Sequence, residues 1–238
     1  MIAESAQRRI LITGAAGGLG QALTIRCSEA GWDCVLIDKD GQGLEKLADQ
    51  IMRSGAKHPV LHPLDLAGLD PVQCDEMVNA IEQQLGGLDS VVHTAALFAG
   101  LQPSEHIKPA EWLKMMQVNL NAPWLLSMAC LPLLRRSELP ASLIFLTENL
   151  QAMKSAYWGP YGASKAALST LIEQLHHELS NTSVMVLGFD PGPMRTSLRS
   201  SVYHTENPQT VRSPEFAADK ILELISFEVV PDSCLIKL

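Results

Sequence analysis

The sequence predicts an α/β protein: one doubly wound domain, a parallel sheet of about seven strands with helices on both faces. Three observations predict it. Short apolar runs alternate with longer segments of three- and four-residue apolar periodicity along all 238 residues. A glycine-rich turn, Thr13-Gly14-Ala15-Ala16-Gly17-Gly18-Leu19-Gly20, joins the first run to the first periodic segment. The apolar runs also stop on polar or small residues, and in parallel sheets ligands bind outside the carboxyl ends of the strands. No linker, repeat or low-complexity tract interrupts the pattern, so residues 1–238 read as a single domain.

The elements follow in order. Ile10 to Ile12 is a strand, and Leu19 to Ala30 a helix closed by Gly31. Cys34 to Ile37 is the second strand, ending at Asp38; Leu44 to Met52 is helical. Val60 to His62 leads to Asp65 and Leu66, and Val72 to Leu85 is a helix closed by Gly86-Gly87. Val91 to His93 is the fourth strand, followed by Thr94-Ala95-Ala96. A long helix runs from Trp112 to about Leu134, interrupted at Pro123. Leu143 to Leu146 is the fifth strand. Gly159-Pro160 then opens a helix to Leu179 on which Leu168, Leu171, Ile172 and Leu175 share one face. Val184 to Leu187 is the sixth strand. Met194 to Ser213 is a polar, proline-bounded loop, Phe216 to Ile225 a helix, and Cys234 to Ile236 a last strand.

Composition narrows the function classes. Hydrophobic residues make up 47% and charged residues 18%, enough for a sizeable core. A net charge of −8 with no basic run argues against nucleic acid or an anionic membrane as partner. Cys27, Cys34, Cys74, Cys130 and Cys234 are scattered and odd in number, without metal-ligand spacing. They suggest no disulfide framework and no metal site, and they fit a reducing cytoplasm. The polar leader from Met1 to Arg9 carries no secretion signal, and no run reaches the ~20 apolar residues of a membrane span.

The strand ends carry the chemistry. Glycines between a strand and a helix let the backbone approach a pyrophosphate, which the helix N-terminus attracts. Asp38 stands eighteen residues after Gly20, where a carboxylate accepts from ribose hydroxyls and repels a 2′-phosphate. That favours NAD over NADP, with Lys39 as the opposing neighbour. The alternative is a solvated acid at a strand end. Tyr161 and Lys165 are four apart, one turn of helix, so an ammonium stands near a phenol. The expected effect is a lowered tyrosine pKa and a general acid or base. On an arbitrary surface helix the same pair would simply be solvated.

Taken in this order, the motifs resemble those of the classical short-chain dehydrogenase/reductase family, over nearly the whole chain. The resemblance implies a Rossmann-type fold and hydride transfer between a nicotinamide and a small or medium alcohol or carbonyl substrate. It implies a cofactor site built from Thr13, Gly14, Ala16, Gly18, Leu19, Gly20, Asp38, Asp65, Leu66, Thr94, Ala95 and Ala96, with Pro191, Gly192, Met194 and Thr196 at the nicotinamide. Tyr161 would give or take the proton. Lys165 would lower its pKa and bind the ribose, and Asn119 would hold a water. A homodimer or homotetramer through the tyrosine helix and the one before it is implied too, with Ala163, Ala166 and Ala167 permitting close approach. Residues 194–213 would cover the substrate, and Leu97, Phe98, Trp158 and Tyr203 would line it.

Two positions depart from the family pattern. Glu148 stands thirteen residues before Tyr161, where the family has a serine that donates to the substrate oxygen. An ionised carboxylate cannot donate. Three accounts stay open: a protonated Glu148 as donor, a Glu148 turned away with Thr147 or Asn149 in its place, or a weakened site. The third would make the chain an NAD(H)-binding regulatory protein. His93 replaces a family asparagine and reads as a satisfied strand histidine. A sugar-nucleotide epimerase is a further alternative, set back by the glycine spacing and the lack of a separate substrate domain.

Overall fold

The computed structural model describes residues 7–227 and 231–238; the leader at residues 1–6 lies outside the described residues. Seven strands form one wholly parallel sheet: β1 (Arg9–Thr13), β2 (Asp33–Asp38), β3 (Val60–Pro63), β4 (Ser90–His93), β5 (Ala141–Leu146), β6 (Val184–Asp190) and β7 (Leu235–Lys237). Their order across the sheet is β3-β2-β1-β4-β5-β6-β7. The chain winds outward from β1 to β3, then returns to add β4 on the other side of β1. Between β1 and β4 the connections diverge to opposite faces, which opens a crevice at their carboxyl ends.

Consecutive strand residues serve opposite faces. Leu11 packs with α3 (Pro71–Leu85), α5 (Ala122–Arg135) and α6 (Gly159–Glu178). Its neighbours Ile10 and Ile12 pack with α1 (Gly18–Glu29), α2 (Gly41–Arg53) and α8 (Pro214–Ile225). All three are fully buried, which explains why the first run is continuously apolar rather than alternating. Local signals fix the helix ends. Asp70 and Gln73 form a reciprocal capping box at the start of α3, and Gly86, with φ 73°, closes it in the left-handed conformation.

One expected break is displaced. The long central helix is not interrupted at Pro123. It runs as α4 (Pro109–Met116), then a π-helical turn at Gln117–Asn121, then α5. Pro123 lies in the first turn of α5, where a missing N–H is tolerated. The π turn instead carries Asn119, consistent with the frequent placement of such bulges at functional sites. The final strand is also one residue later than its apolar run suggests. In the loop after β6, α7 (Ser197–Ser200) is a single turn.

At the amino ends of the strands, away from the crevice, Asp89 is fully buried. It accepts from the Arg9 guanidinium at 2.8 and 2.9 Å, from the Arg9 amide at 2.8 Å and from the Ser137 hydroxyl at 2.6 Å. Burial alone would raise its pKa; the Arg9 and Ser137 hydrogen bonds outweigh it and hold the carboxyl below its ordinary value. A depressed folded-state pKa contributes stability above the unfolded value of about 3.9, and that stability is lost as pH falls through the folded value. Asp89→Ala leaves the Arg9 guanidinium without its buried partner and should cost on the order of 3 kcal/mol in denaturant unfolding. The variant should also lose part of the acid-side fall in stability; an unchanged profile would remove Asp89 from this role.

Candidate functional site

At the β1–β4 crevice the carboxyl ends of the strands surround a cavity of about 490 Å³. Its floor is the turn into α1. Gly14 has φ +68°, and a Cβ there would lie 2.7 Å from the Ala95 backbone, so only glycine lets these segments meet. The start of α1 has no side-chain cap, which leaves its first amides open to an anion. Gly14, Ala16, Gly18, Leu19 and Gly20 all reach the cavity wall. Thr13 does not: it is fully buried, and its carbonyl accepts from the Thr94 hydroxyl at 2.6 Å. It ties β1 to the segment after β4 rather than facing a ligand.

Further along the wall stand Asp38, Asp65, Leu66, Thr94, Ala95 and Ala96, as the motifs implied. The Asp38 carboxylate accepts from the Ala16 amide at 3.0 Å, holding the glycine-rich turn against the end of β2. Lys39 and Asp40 line the same end. Asp65 caps the 3₁₀ turn Leu66–Gly68 by accepting from Ala67 N. Pro191, Met194 and Thr196 line the opposite end. Gly192 faces a second cavity instead. An elongated crevice with a glycine cradle, an open helix terminus and an acid at the β2 end fits a dinucleotide. In it the α1 turn would hold the pyrophosphate and Asp38 a ribose.

The second cavity, about 310 Å³, is lined by Phe98, Trp158, Tyr203 and Arg199 among others. Leu97, expected there, belongs to the first cavity. Both cavities are bordered by Tyr161 and Glu148. Gly159, at φ +46°, turns the chain into α6 so tightly that a Cβ would meet Ile107 at 2.6 Å. Tyr161 is then packed edge-on to Phe98 (centroids 4.9 Å, 70°) and beside Trp158 (6.1 Å, 29°).

The phenol donates to Glu148 Oε1 at 2.9 Å. Burial first, and then the Glu148 charge and hydrogen bond, raise the Tyr161 pKa well above its ordinary value. The expected lowering by Lys165 is therefore not what this arrangement produces. The Lys165 ammonium, itself pushed down by burial, donates to the Leu146 carbonyl at 2.9 Å and lies 5.7 Å from the phenol ring centroid. Glu148 does not turn away in this arrangement, since its Oε1 accepts from the phenol. Thr147 is buried, with its amide on Phe189 O, and Asn149 Oδ1 accepts from the Gln151 amide.

Asn119 is 1% exposed and does not border either cavity. Its carboxamide accepts from Leu97 N at 2.7 Å and donates to Leu97 O at 2.8 Å and Ser164 Oγ at 3.3 Å. Ser164 in turn donates to Tyr161 O at 2.8 Å. Ser164 was legible only as a small residue between Tyr161 and Lys165, and its part in this chain went unread. Arg199 was missed too: nothing in a polar loop distinguishes it before folding. It is held by Glu206 at 2.6 Å through both Nε and Nη2 and stacked 4.3 Å over Tyr203. His93 is buried against Phe145, and its Nε2 pairs with Ser127 Oγ at 2.9 Å. Because Ser127 donates to Pro123 O, the histidine must be the donor, leaving Nδ1 bare. It is thus only half satisfied, and burial lowers its pKa to about 3, which keeps it neutral.

Among the described residues no group of His, Cys, Asp or Glu could hold a metal, and no helix is long and apolar enough to cross a membrane.

The short chain dehydrogenase family model matches residues 8–207. The uncharacterized oxidoreductase YciK of Escherichia coli K12 is 32% identical over 207 residues, covering 87% of this chain and 81% of its own. A putative short chain dehydrogenase from Pseudomonas syringae superposes with a TM-score of 0.91 at 32% identity, covering 97% of this chain and 93% of its own. A putative short chain dehydrogenase from Shigella flexneri, complexed with NADP, gives 0.88 at 29% identity, covering 97% and 95%. Family model, sequence relatives and fold agree with the nucleotide crevice, and the chain belongs to the short-chain dehydrogenase family of oxidoreductases.

Proposed function

We propose that the protein is an NAD(H)-preferring oxidoreductase acting on a small or medium alcohol or carbonyl, with Tyr161 as its proton donor and acceptor. One observation carries the reading: the Tyr161 phenol stands where the dinucleotide crevice meets the aromatic second cavity. The bound nicotinamide supplies the hydride-donating or hydride-accepting carbon. The chain's own residues do the rest. The α1 turn holds the phosphates, Asp38 the adenosine ribose, and Thr196 the nicotinamide end. Lys165 is placed by Leu146 O near a ribose site, and residues 194–213 cover the substrate. Both Nδ2 hydrogens of Asn119 are engaged, so any water it serves would meet its Oδ1 or its main chain. The described residues, 7–227 and 231–238, make up one such domain. A cytoplasmic homodimer or homotetramer fits the exposed Trp124 on α5 and the exposed Ala163 and Ala166 on α6.

A second reading has a specific observation behind it. The Tyr161 hydroxyl points at Glu148 rather than into free space, and on this reading the chain would be a catalytically weakened NAD(H)-binding regulator. Titration of NADH and NADPH by protein fluorescence, with turnover on a carbonyl and alcohol panel for wild type and Glu148→Ser, separates the two. Turnover by wild type supports the enzyme. NADH binding with no turnover, and activity gained in Glu148→Ser, supports the regulator.

Cofactor choice rests on Asp38 against Lys39. The NADP complex of the Shigella flexneri relative makes the opposite preference a live outcome. Asp38→Ala should weaken NADH about tenfold while leaving or improving NADPH; equal losses for both would remove Asp38 from discrimination.

The pH dependence has a definite sign. Burial, then Glu148, raises the Tyr161 pKa, so at neutral pH the phenol is protonated and suited to reduction. Oxidation needs the phenolate. Glu148→Gln removes the charge, and the alkaline rise of the oxidation rate should move to lower pH. A rise that stays in place, or moves up, contradicts this coupling.

A further inference from the structure

We propose that the preferred substrate carries nitrogen at its reacting carbon: a protonated imine reduced to a secondary amine, bound by Glu148 through its N–H. This rests on the nicotinamide-binding part of the reading above and replaces its carbonyl substrate with the nitrogen analogue.

The argument starts from hydrogen-bond polarity. A carbonyl oxygen gaining charge needs donors. At this junction the Tyr161 proton is directed to Glu148 Oε1, an acceptor. The site offers an acceptor where a carbonyl would need a donor. An iminium N–H is the complementary group, since it donates to a carboxylate in a charge-assisted hydrogen bond. The walls agree. Phe98, Trp158, Tyr161 and Tyr203 border the second cavity, and aromatic faces attract cations.

The charges that face it favour a cation too. Glu148 and the buried Asp190 are its acids. Arg199 is neutralised by Glu206, and Lys237 is the other cation on the wall. Lys165, on the crevice side, is engaged by Leu146 O.

The step balances. Hydride from a reduced nicotinamide adds to the iminium carbon, and the C=N π pair becomes the nitrogen lone pair. The neutral amine then takes a proton from solvent. The phenol need not lose its proton, which suits its raised pKa.

The test pairs nitrogen compounds with oxygen or carbon analogues of similar size. Binding of 1,2,3,4-tetrahydroisoquinoline and of 1-tetralol is followed by tryptophan fluorescence without cofactor, for wild type, Glu148→Gln and Glu148→Ser. NADH and NADPH oxidation is followed with 3,4-dihydroisoquinoline and 1-tetralone. The ammonium should bind wild type about tenfold tighter than the alcohol. Both Glu148 variants should lose that preference while still binding nucleotide, and the imine should turn over faster than the ketone. Equal or better binding of the alcohol overturns the proposal, as does an ammonium preference that survives in both variants. Nucleotide binding with ketone turnover alone sinks this inference but spares the oxidoreductase reading; failure of both nucleotides to bind sinks that reading as well.

Discussion

Everything at the site depends on a parallel sheet buried on both faces. With helices covering Leu11 on one side and Ile10 and Ile12 on the other, the strands have no solvent face on which to carry function. Chemistry is pushed to the strand ends, and the reversal of winding between β1 and β4 leaves one place there for an elongated ligand. The contacts that keep that place open are short-range and polar. Thr94 is tied to Thr13, Asp38 to the Ala16 amide, and Asn119 clamps Leu97 by both ends of its carboxamide. Asp89 and Arg9 hold the opposite end of the sheet. Stability and function therefore occupy different ends of the same strands.

Tyr161 and its neighbours are fixed from three directions. The π turn places Asn119 under the loop after β4, Ser164 passes its orientation to the Tyr161 backbone, and Leu146 O at the end of β5 holds Lys165. A regular helix through residues 117–121 would rotate Asn119 away from Leu97.

Much of this was legible because strand ends and helix starts have strong local signatures. The strand–glycine–helix sequence around Gly14 predicts its own geometry, and the four-residue spacing of Tyr161 and Lys165 predicts a shared helix face. Apolar periodicity does not register a π turn, since one extra residue in a turn leaves composition unchanged. Pro123, the nearest conspicuous residue, draws the break to itself in the sequence. Thr13 sits in a cofactor motif yet is fully buried, its hydroxyl accepting from the Ala95 amide, because strand register decides which way a side chain faces. The direction of the Tyr161 shift was also beyond spacing alone. The lysine four residues on is spent on a carbonyl, while a glutamate thirteen residues earlier makes the contact. Such contacts exist only after β5 and α6 come together.

The aromatic packing at the mouth of α6 has a consequence for how this protein can change. Phe98 and Trp158 form the wall against which a substrate would rest, and they are also the surfaces against which the Tyr161 ring is wedged. Enlarging the second cavity by trimming either ring would free the phenol to tilt and loosen its line to Glu148. Substrate range and proton geometry are thus mechanically geared to each other. Drift toward bulkier substrates would leave the tyrosine undisturbed only through other parts of the wall, such as the segment from Met194 to Tyr203.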